Sequence, residues 1–521
     1  MLPKALIPII AVAFVCAVAF YGFTANNYAI HALLILTPMA LMLAGNRGLI
    51  LGIIISLRYS DLIVPGLPQG LNLMDVMILF LVAIVIFGHS IDKQRMVRRS
   101  TSHYVLMGFL VVLMVIMSVR GFGIRFLGSA EWGGFGYVKI FIVALFYLFC
   151  ANIDLTEKQL KRALLLMLVL SFIPAAAQIL FFASGGAIYH QYAFLDANVY
   201  GLLDTLNALQ GANRTSRLYF SGVASALSVI GMAFFPYHGP KRFLLIGCVG
   251  TSFIITLLSG FRGAVVANVA IIFLYLLLTY PKRRFTITVG TGVAAATLVI
   301  GLIPFFQDLP ASIQRALSFI PFYDVPGYIK FDADYSVQWR IDVWKESLRH
   351  LPSFLFIGRG LTFNPTELSS AMAIGDTIAW GYIGHNYHSG PISLAIITGV
   401  PGFILYSIFM VVACVEYIRA RNDMFAAGCT PFVLRTYNMF LAMTVYHVFS
   451  FYVMYGSVQS SVPYMLFNVA FMQILRYNFG LKLQMNAFAR PAPLVPPRDP
   501  AAAARKVPLV DQRPRFARLA R

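Results

Sequence analysis

The chain has 521 residues, of which 59% are hydrophobic and only 12% charged, with a mean hydropathy of +0.77. Soluble globules are roughly half apolar and about a quarter charged, so this composition excludes that class and implies a polytopic membrane protein. A spanning β-barrel is excluded as well, since it would show short alternating segments instead of long apolar runs.

In chain order, runs of the length that a helix needs to cross the hydrocarbon core fall at 6–23, 29–45, 48–64, 74–89, 102–118, 136–153, 164–184, 217–236, 243–260, 264–280, 286–305, 391–416, 436–455 and 461–476. The expected fold is therefore all-α, a polytopic transmembrane helical bundle of about 12–14 helices. Arg58 and Asp61 interrupt the run 48–64, which reads as a short or re-entrant piece. The first run follows Met1 and Lys4 with no small-residue cleavage site, so it reads as a retained helix.

The net charge of +20 is a topology signal. With a cytoplasmic N-terminus, Arg47, the cluster Lys93, Arg95, Arg98 and Arg99, then Lys158, Lys161, Arg162, Lys241, Arg242, Lys282, Arg283, Arg284, Arg419 and Arg421 all fall on one side, expected to be the cytoplasm. No nucleic-acid-binding module accompanies this charge, so nucleic acid is not expected as a partner. The chain divides into a bundle, 1–479, and a basic Pro/Ala-rich tail, 480–521, expected to be disordered on the cytoplasmic side near anionic headgroups. Cys16, Cys150, Cys248, Cys414 and Cys429 show neither a disulfide framework nor zinc spacing.

On the opposite face two loops are long, 185–216 and 306–390, and the second should carry short helices of its own. It ends in HNYHSGPISLAIITGVPG, residues 385–402. Ser389 or Gly390 can cap the following helix, and Pro391 suits its first turn. His388 stands at the positive end of that helix, where N–H groups and the dipole favour an anion. Gly399 and Gly402 flank Pro401, which removes a backbone hydrogen bond and predicts a kink open to close packing. Arg217 opens the span 217–236, and Arg262 lies in the tight turn of LLSGFRGA. Each alone reads equally as a snorkelling cation. Together with His388 they read as an anion clamp, because guanidinium forks match phosphate oxygens.

With these residues the chain resembles the bacterial O-antigen ligase and polysaccharide polymerase superfamily of integral membrane glycosyltransferases, whose bundle is of the C-type glycosyltransferase kind. The family pattern of His, a small polar residue, nine residues and Gly-x-x-Gly is met by His388, Ser389, Gly399 and Gly402. The Ser-Gly-x-Arg-Gly turn around Arg262, the Arg217 helix start and WRIDVWKESLRHLPSFLFIGRG, with Arg340, Trp344, Gly358 and Gly360, are similar to its recurrent features. The resemblance implies transfer of a glycan from a polyprenyl-pyrophosphate-linked donor to a hydroxyl of lipid A core or of another glycan, at the outer face of a bacterial inner membrane. It implies His388, Arg262 and Arg217 as catalytic residues, and Arg340, His385, Asn386, Ser389 and Trp344 as substrate-binding ones. Gly399 and Gly402 would be structural. No cofactor or metal is implied: Asp196, Asp204, Asp332, Asp334 and Asp376 lack ligand spacing. His447, in an apolar run, reads as an interhelical hydrogen bonder. The alternatives are a transporter or flippase of lipid-linked glycans, for which the spans almost lack Asp and Glu, and a non-catalytic scaffold.

Overall fold

A computed structural model describes residues 47–57, 72–92, 100–124, 129–183, 221–237 and 239–481. The expected spans 6–23 and 29–45, the loop 185–216 with Arg217, and the tail beyond 481 lie outside the described residues, and the span 48–64 is described only as far as Leu57.

The remaining spans are helical over their described residues. The elements in order are α1 (Arg47–Leu57), α2 (Leu73–Asp92), α3 (Thr101–Arg120), α4 (Phe135–Phe149), α5 (Glu157–Ala183), α6 (Ser221–Phe234), α7 (Arg242–Leu258), α8 (Arg262–Thr279) and α9 (Arg284–Leu302). Four shorter or more polar helices follow, α10 (Ala311–Leu317), α11 (Gly327–His350), α12 (Pro365–Ala373) and α13 (Thr377–Ile383). The chain returns to long apolar helices in α14 (Gly390–Ala426), α15 (Pro431–Val453) and α16 (Val458–Arg476). Five segments, 101–120, 135–152, 262–279, 281–308 and 390–426, are long and apolar enough to cross a membrane. An isolated bridge pairs Trp132 with Phe363. The fold is thus an all-α polytopic bundle, because in lipid the helix satisfies its own backbone groups.

The centre of the bundle is α14, which packs on α3, α15 and α16, while α16 packs on α4 and α15 on α8 and α6. Buried Tyr406, Phe409, Tyr417, Tyr437, Phe467 and Phe471 fill these contacts. Polar groups join helices where lipid provides no partner. Near one end Glu416 of α14 accepts from the Ser102 hydroxyl of α3 at 2.9 Å and pairs with Arg476 of α16 at 3.0 Å. Between α6, α7 and α8, the Asn268 amide donates to Ser252 and Thr256, and Ser252 in turn lies 2.7 Å from Ser228.

The opposite end is organised by a defect in α14. Pro401 has no N–H for the carbonyl of Ile397, and Gly399 (φ 67°, ψ 177°) leaves the helical region for one open essentially to glycine alone. Residues 355–360 repair the break. The N–H of Arg359 donates to the Ile396 carbonyl at 2.7 Å, that of Gly360 to the Ile397 carbonyl at 3.0 Å, and Val400 donates to Leu355 O at 2.7 Å. The inserted segment is held from its other side by Arg120 of α3, whose guanidinium donates to the carbonyls of Gly358 and Ile357, and by the Tyr137 hydroxyl of α4, which accepts from the N–H of Leu361 at 2.7 Å.

This splice requires backbone contact at Gly358, where an added Cβ would lie 2.1 Å from Ile397 O and 2.7 Å from Gly399 N. Gly358→Ala is therefore expected to lower thermal stability in detergent by about 2–4 kcal/mol, the range of overpacking with lost buried hydrogen bonds. Gly290→Ala in α9, where a Cβ meets nothing within 4 Å, should leave it unchanged or slightly raised. Equal melting temperatures for the two variants would refute the splice.

Candidate active site at the mouth of α14

The loop Gly384–Ser389 enters α14 at the repaired end, with Ser389 as its N-cap and Pro391 in its first turn. The Ser389 side chain makes no capping hydrogen bond, so the cap is conformational. His385 (φ 60°) and His388 (φ 51°) are the non-glycine residues with positive φ among the described ones. Such a conformation costs an L-residue about 1–2 kcal/mol, and it persists only where the surroundings impose it.

Those surroundings are visible for His385. It is buried, with Nδ1 3.2 Å from the Tyr387 hydroxyl and Nε2 3.3 Å from the Thr362 carbonyl. Arg359, whose backbone repairs α14, donates from Nη1 to the Tyr382 carbonyl at 2.8 Å and to the Tyr387 hydroxyl at 3.3 Å, and its guanidinium lies 4.4 Å from the Tyr382 ring centroid. Burial, reinforced by the Arg359 charge, pushes the His385 imidazole down to about 3. The neutral ring thus accepts from Tyr387 and donates to Thr362, which makes it a strut beneath the loop. Trp344 of α11 contributes a second tie, its indole N–H donating to the Tyr387 carbonyl at 2.7 Å. Asn386 is held through its backbone N–H to Gly381 O at 2.8 Å.

His388 is placed differently. Its ring stands edge-on to Trp339 at 5.1 Å and tilted against Tyr455 at 5.0 Å, and its Nδ1 is buried with no hydrogen-bond partner. Burial and the nearby Arg340 charge push this imidazole down to about 4. It is therefore neutral at physiological pH, with a lone pair available. An orphaned buried nitrogen in a strained residue is an exception that calls for a functional explanation.

Arg262 is the first residue of α8, following Gly260 with φ 71°. Buried Arg315 of α10 holds this turn by donating to the Gly260 carbonyl at 2.8 Å. The Arg262 guanidinium reaches α11, donating to the Ala333 carbonyl at 3.2 Å and to the Ser336 hydroxyl at 3.3 Å. Arg340 lies one turn further along that helix, about 6 Å along its axis, with its guanidinium 6.0 Å from the Tyr455 ring centroid. So α11 brings Arg262 and Arg340 together with His388. The expected clamp member Arg217 lies outside the described residues.

Sequence reading missed Arg359, Arg315, Arg120 and Tyr455. Arg359 had a usable signal, an arginine between two glycines at the end of a polar helical stretch. His447 does reach across helices, with its Nδ1 3.4 Å from the Asn468 amide nitrogen of α16. Among the described residues no three His, Cys, Asp or Glu side chains are grouped to hold a metal ion.

The two depressed histidines fix a pH dependence of stability. Folded, they stay neutral down to about 3 and about 4; unfolded, they take up protons near their ordinary value of about 6.5. The unfolded state therefore binds more protons throughout this window, and stability is lost as pH falls from about 6.5. The melting temperature in detergent should decline between pH 7 and 5, and His385→Gln should flatten that decline. An unchanged slope in the variant would show that His385 is not held neutral.

Residues 247–407 match the family model described as O-Antigen ligase, a region that contains Arg262, Arg340, Arg359, His385 and His388. No curated protein matches the chain. The matched segment makes this region similar to the O-antigen ligase family and supports an O-antigen ligase-type membrane glycosyltransferase in general.

Proposed function

We propose that the protein transfers a glycan from a polyprenyl-pyrophosphate-linked donor to a hydroxyl acceptor, at the end of the bundle where α8, α11 and α14 meet. The observation that carries this reading is the gathering at α11, within the matched region, of two guanidiniums and one neutral imidazole: Arg262 hydrogen-bonds Ala333 and Ser336, Arg340 belongs to the helix, and His388 packs on Trp339.

Arg262 and Arg340 bind the diphosphate, with Arg217 as a third cation, and stabilise the charge that grows on it as it leaves. The acceptor oxygen attacks the anomeric carbon as the carbon–oxygen bond to the pyrophosphate breaks. The hydroxyl proton passes to His388, and polyprenyl pyrophosphate departs. One displacement of this kind inverts the anomeric centre and needs no metal. Burial and Arg340 make His388 a poor resting proton acceptor. An anion between the guanidiniums offsets the Arg340 charge, so the imidazole becomes more basic once donor is bound. Bound pyrophosphate also sits near the first turn of α14, whose N–H groups and dipole favour negative charge. The remaining partners are membrane lipids and an acceptor such as lipid A core or a growing glycan.

In a deletion strain complemented with variants, Arg262→Ala should lower surface-glycan transfer by about 10²–10³-fold, and His388→Ala by about 10²–10⁴-fold. Arg262→Lys should retain only part of the activity, because an ammonium cannot fork. Both alanine variants should still insert into membranes. Wild-type glycan profiles in either would remove that residue from the mechanism. The acid limb of kcat/KM, which reports the free enzyme, should fall at about pH 4 and not near 6.5, since His388 keeps its neutral form down to that value.

A further inference from the structure

A cavity of about 240 Å³ lies between α15 and α16, and one of its lining residues, Tyr455, also packs on His388. Its wall carries His447 and Ser450 from α15, Tyr455 from the turn that follows, and Ser460, Ser461 and Tyr464 from α16. We propose that this cavity is the saccharide subsite for the acceptor, holding one neutral sugar ring so that its hydroxyl reaches past Tyr455 to His388. The assignment of an acceptor role rests on the glycosyl-transfer reading above; the assignment of a neutral saccharide rests on the cavity alone.

Three properties select that ligand. The lining contains no charged side chain, which disfavours a phosphate group. Six of its eight residues, all but Phe451 and Met465, carry a hydroxyl or an imidazole beside apolar ring and methylene surface, a mixture that matches the polar edge and apolar faces of a sugar. The volume is below the ~300–1,000 Å³ of sites for drug-sized ligands, which suits a single ring better than a chain. The polar groups are also set in fixed directions. The His447 ring meets Tyr464 edge-on at 4.7 Å, and the Asn468 amide lies 3.4 Å from its Nδ1. With Nδ1 accepting from that amide, Nε2 is the ring's donor. Ser461 is fixed by accepting from the N–H of Ser457 at 3.1 Å, and Ser460 by the Ser457 hydroxyl at 2.8 Å. Aromatic rims beside oriented donors and acceptors suit a sugar, which has apolar ring faces and a polar edge.

The cavity is also coupled to the catalytic end by packing and a hydrogen bond. Gly390, the first residue of α14, packs on Phe451, where an added Cβ would meet the Phe451 ring at 2.7 Å. The N–H of Val458, which opens α16, donates to the Ser393 hydroxyl of α14 at 2.9 Å. A ring bound here would therefore sit at a fixed distance from His388.

The test uses the full-length protein in membranes of its own host, where the natural acceptor is present. p-Benzoylphenylalanine replaces Ser460, which is exposed at the rim, and the membranes are irradiated. The adduct is analysed for sugar by periodate oxidation and mass spectrometry. The expected adduct carries glycan without polyprenyl pyrophosphate, and adding Ser461→Trp to fill the cavity reduces it about tenfold. An adduct of phospholipid or polyprenyl chain alone, no adduct, or a glycan adduct indifferent to Ser461→Trp would overturn the proposal. Glycan captured here while Arg262→Ala and His388→Ala leave surface glycans unchanged would keep the saccharide site and overturn the transfer reading. Lipid captured here while those variants abolish transfer would overturn the subsite alone.

Discussion

The structure turns on the repair of one break in α14. At Gly399–Pro401 the helix loses the donors for two carbonyls, which in a hydrocarbon environment would cost several kcal/mol each. The backbone of residues 355–360 supplies them, and in doing so it is fixed to the membrane helix with the precision of a hydrogen-bonded ladder. The residue that makes the first of these bonds through its N–H, Arg359, uses its guanidinium to hold Tyr382 and Tyr387. Tyr387 then meets His385. A packing requirement inside the bundle is thereby transmitted to the loop that carries His388, and the left-handed backbone of His385 is held in place by it.

The second organising element is α11, a long helix that lies outside the five segments long and apolar enough to cross a membrane. It anchors the start of α8 through Arg262, the loop before α14 through Trp344, and the imidazole of His388 through Trp339. Rigid helices place such groups more accurately than loops can. The cationic and neutral groups of the site are thus spaced by helix geometry. The same proximity that lowers the proton affinity of His388 ties its basicity to whatever anion stands beside Arg340.

How far all this was legible in the sequence depends on the range of the physics involved. Spans such as 102–118 and 264–280 are legible because their apolar length alone decides them, whereas helices that run on into polar sequence exceed the expected bounds, α14 to Ala426 and α5 from Glu157. Ser389, Pro391, Gly399 and Pro401 are legible because caps and breaks are local. Roles that depend on distant contacts were hidden. Trp344 and His385 read as substrate contacts, whereas the structure gives each a backbone carbonyl as hydrogen-bond partner. Arg359 and Arg315 carried no reading at all, since their partners lie in other segments, at Tyr382 and Gly260. Gly358 and Gly360 were noted as motif residues without the reason that Gly358 must be bare, which is the approach of Ile397 O.

The order of synthesis gives the repaired helix a further consequence. Residues 355–360 leave the ribosome before residues 396–401, so the donors precede the carbonyls they will serve. A nascent α14 meets its missing partners from chain already made and does not wait for later segments. Biogenesis of the membrane helix and docking of the preceding polar region are then one event. A lesion in 355–360 would accordingly be felt as a failure of assembly in the bilayer, far from the position where the change was made.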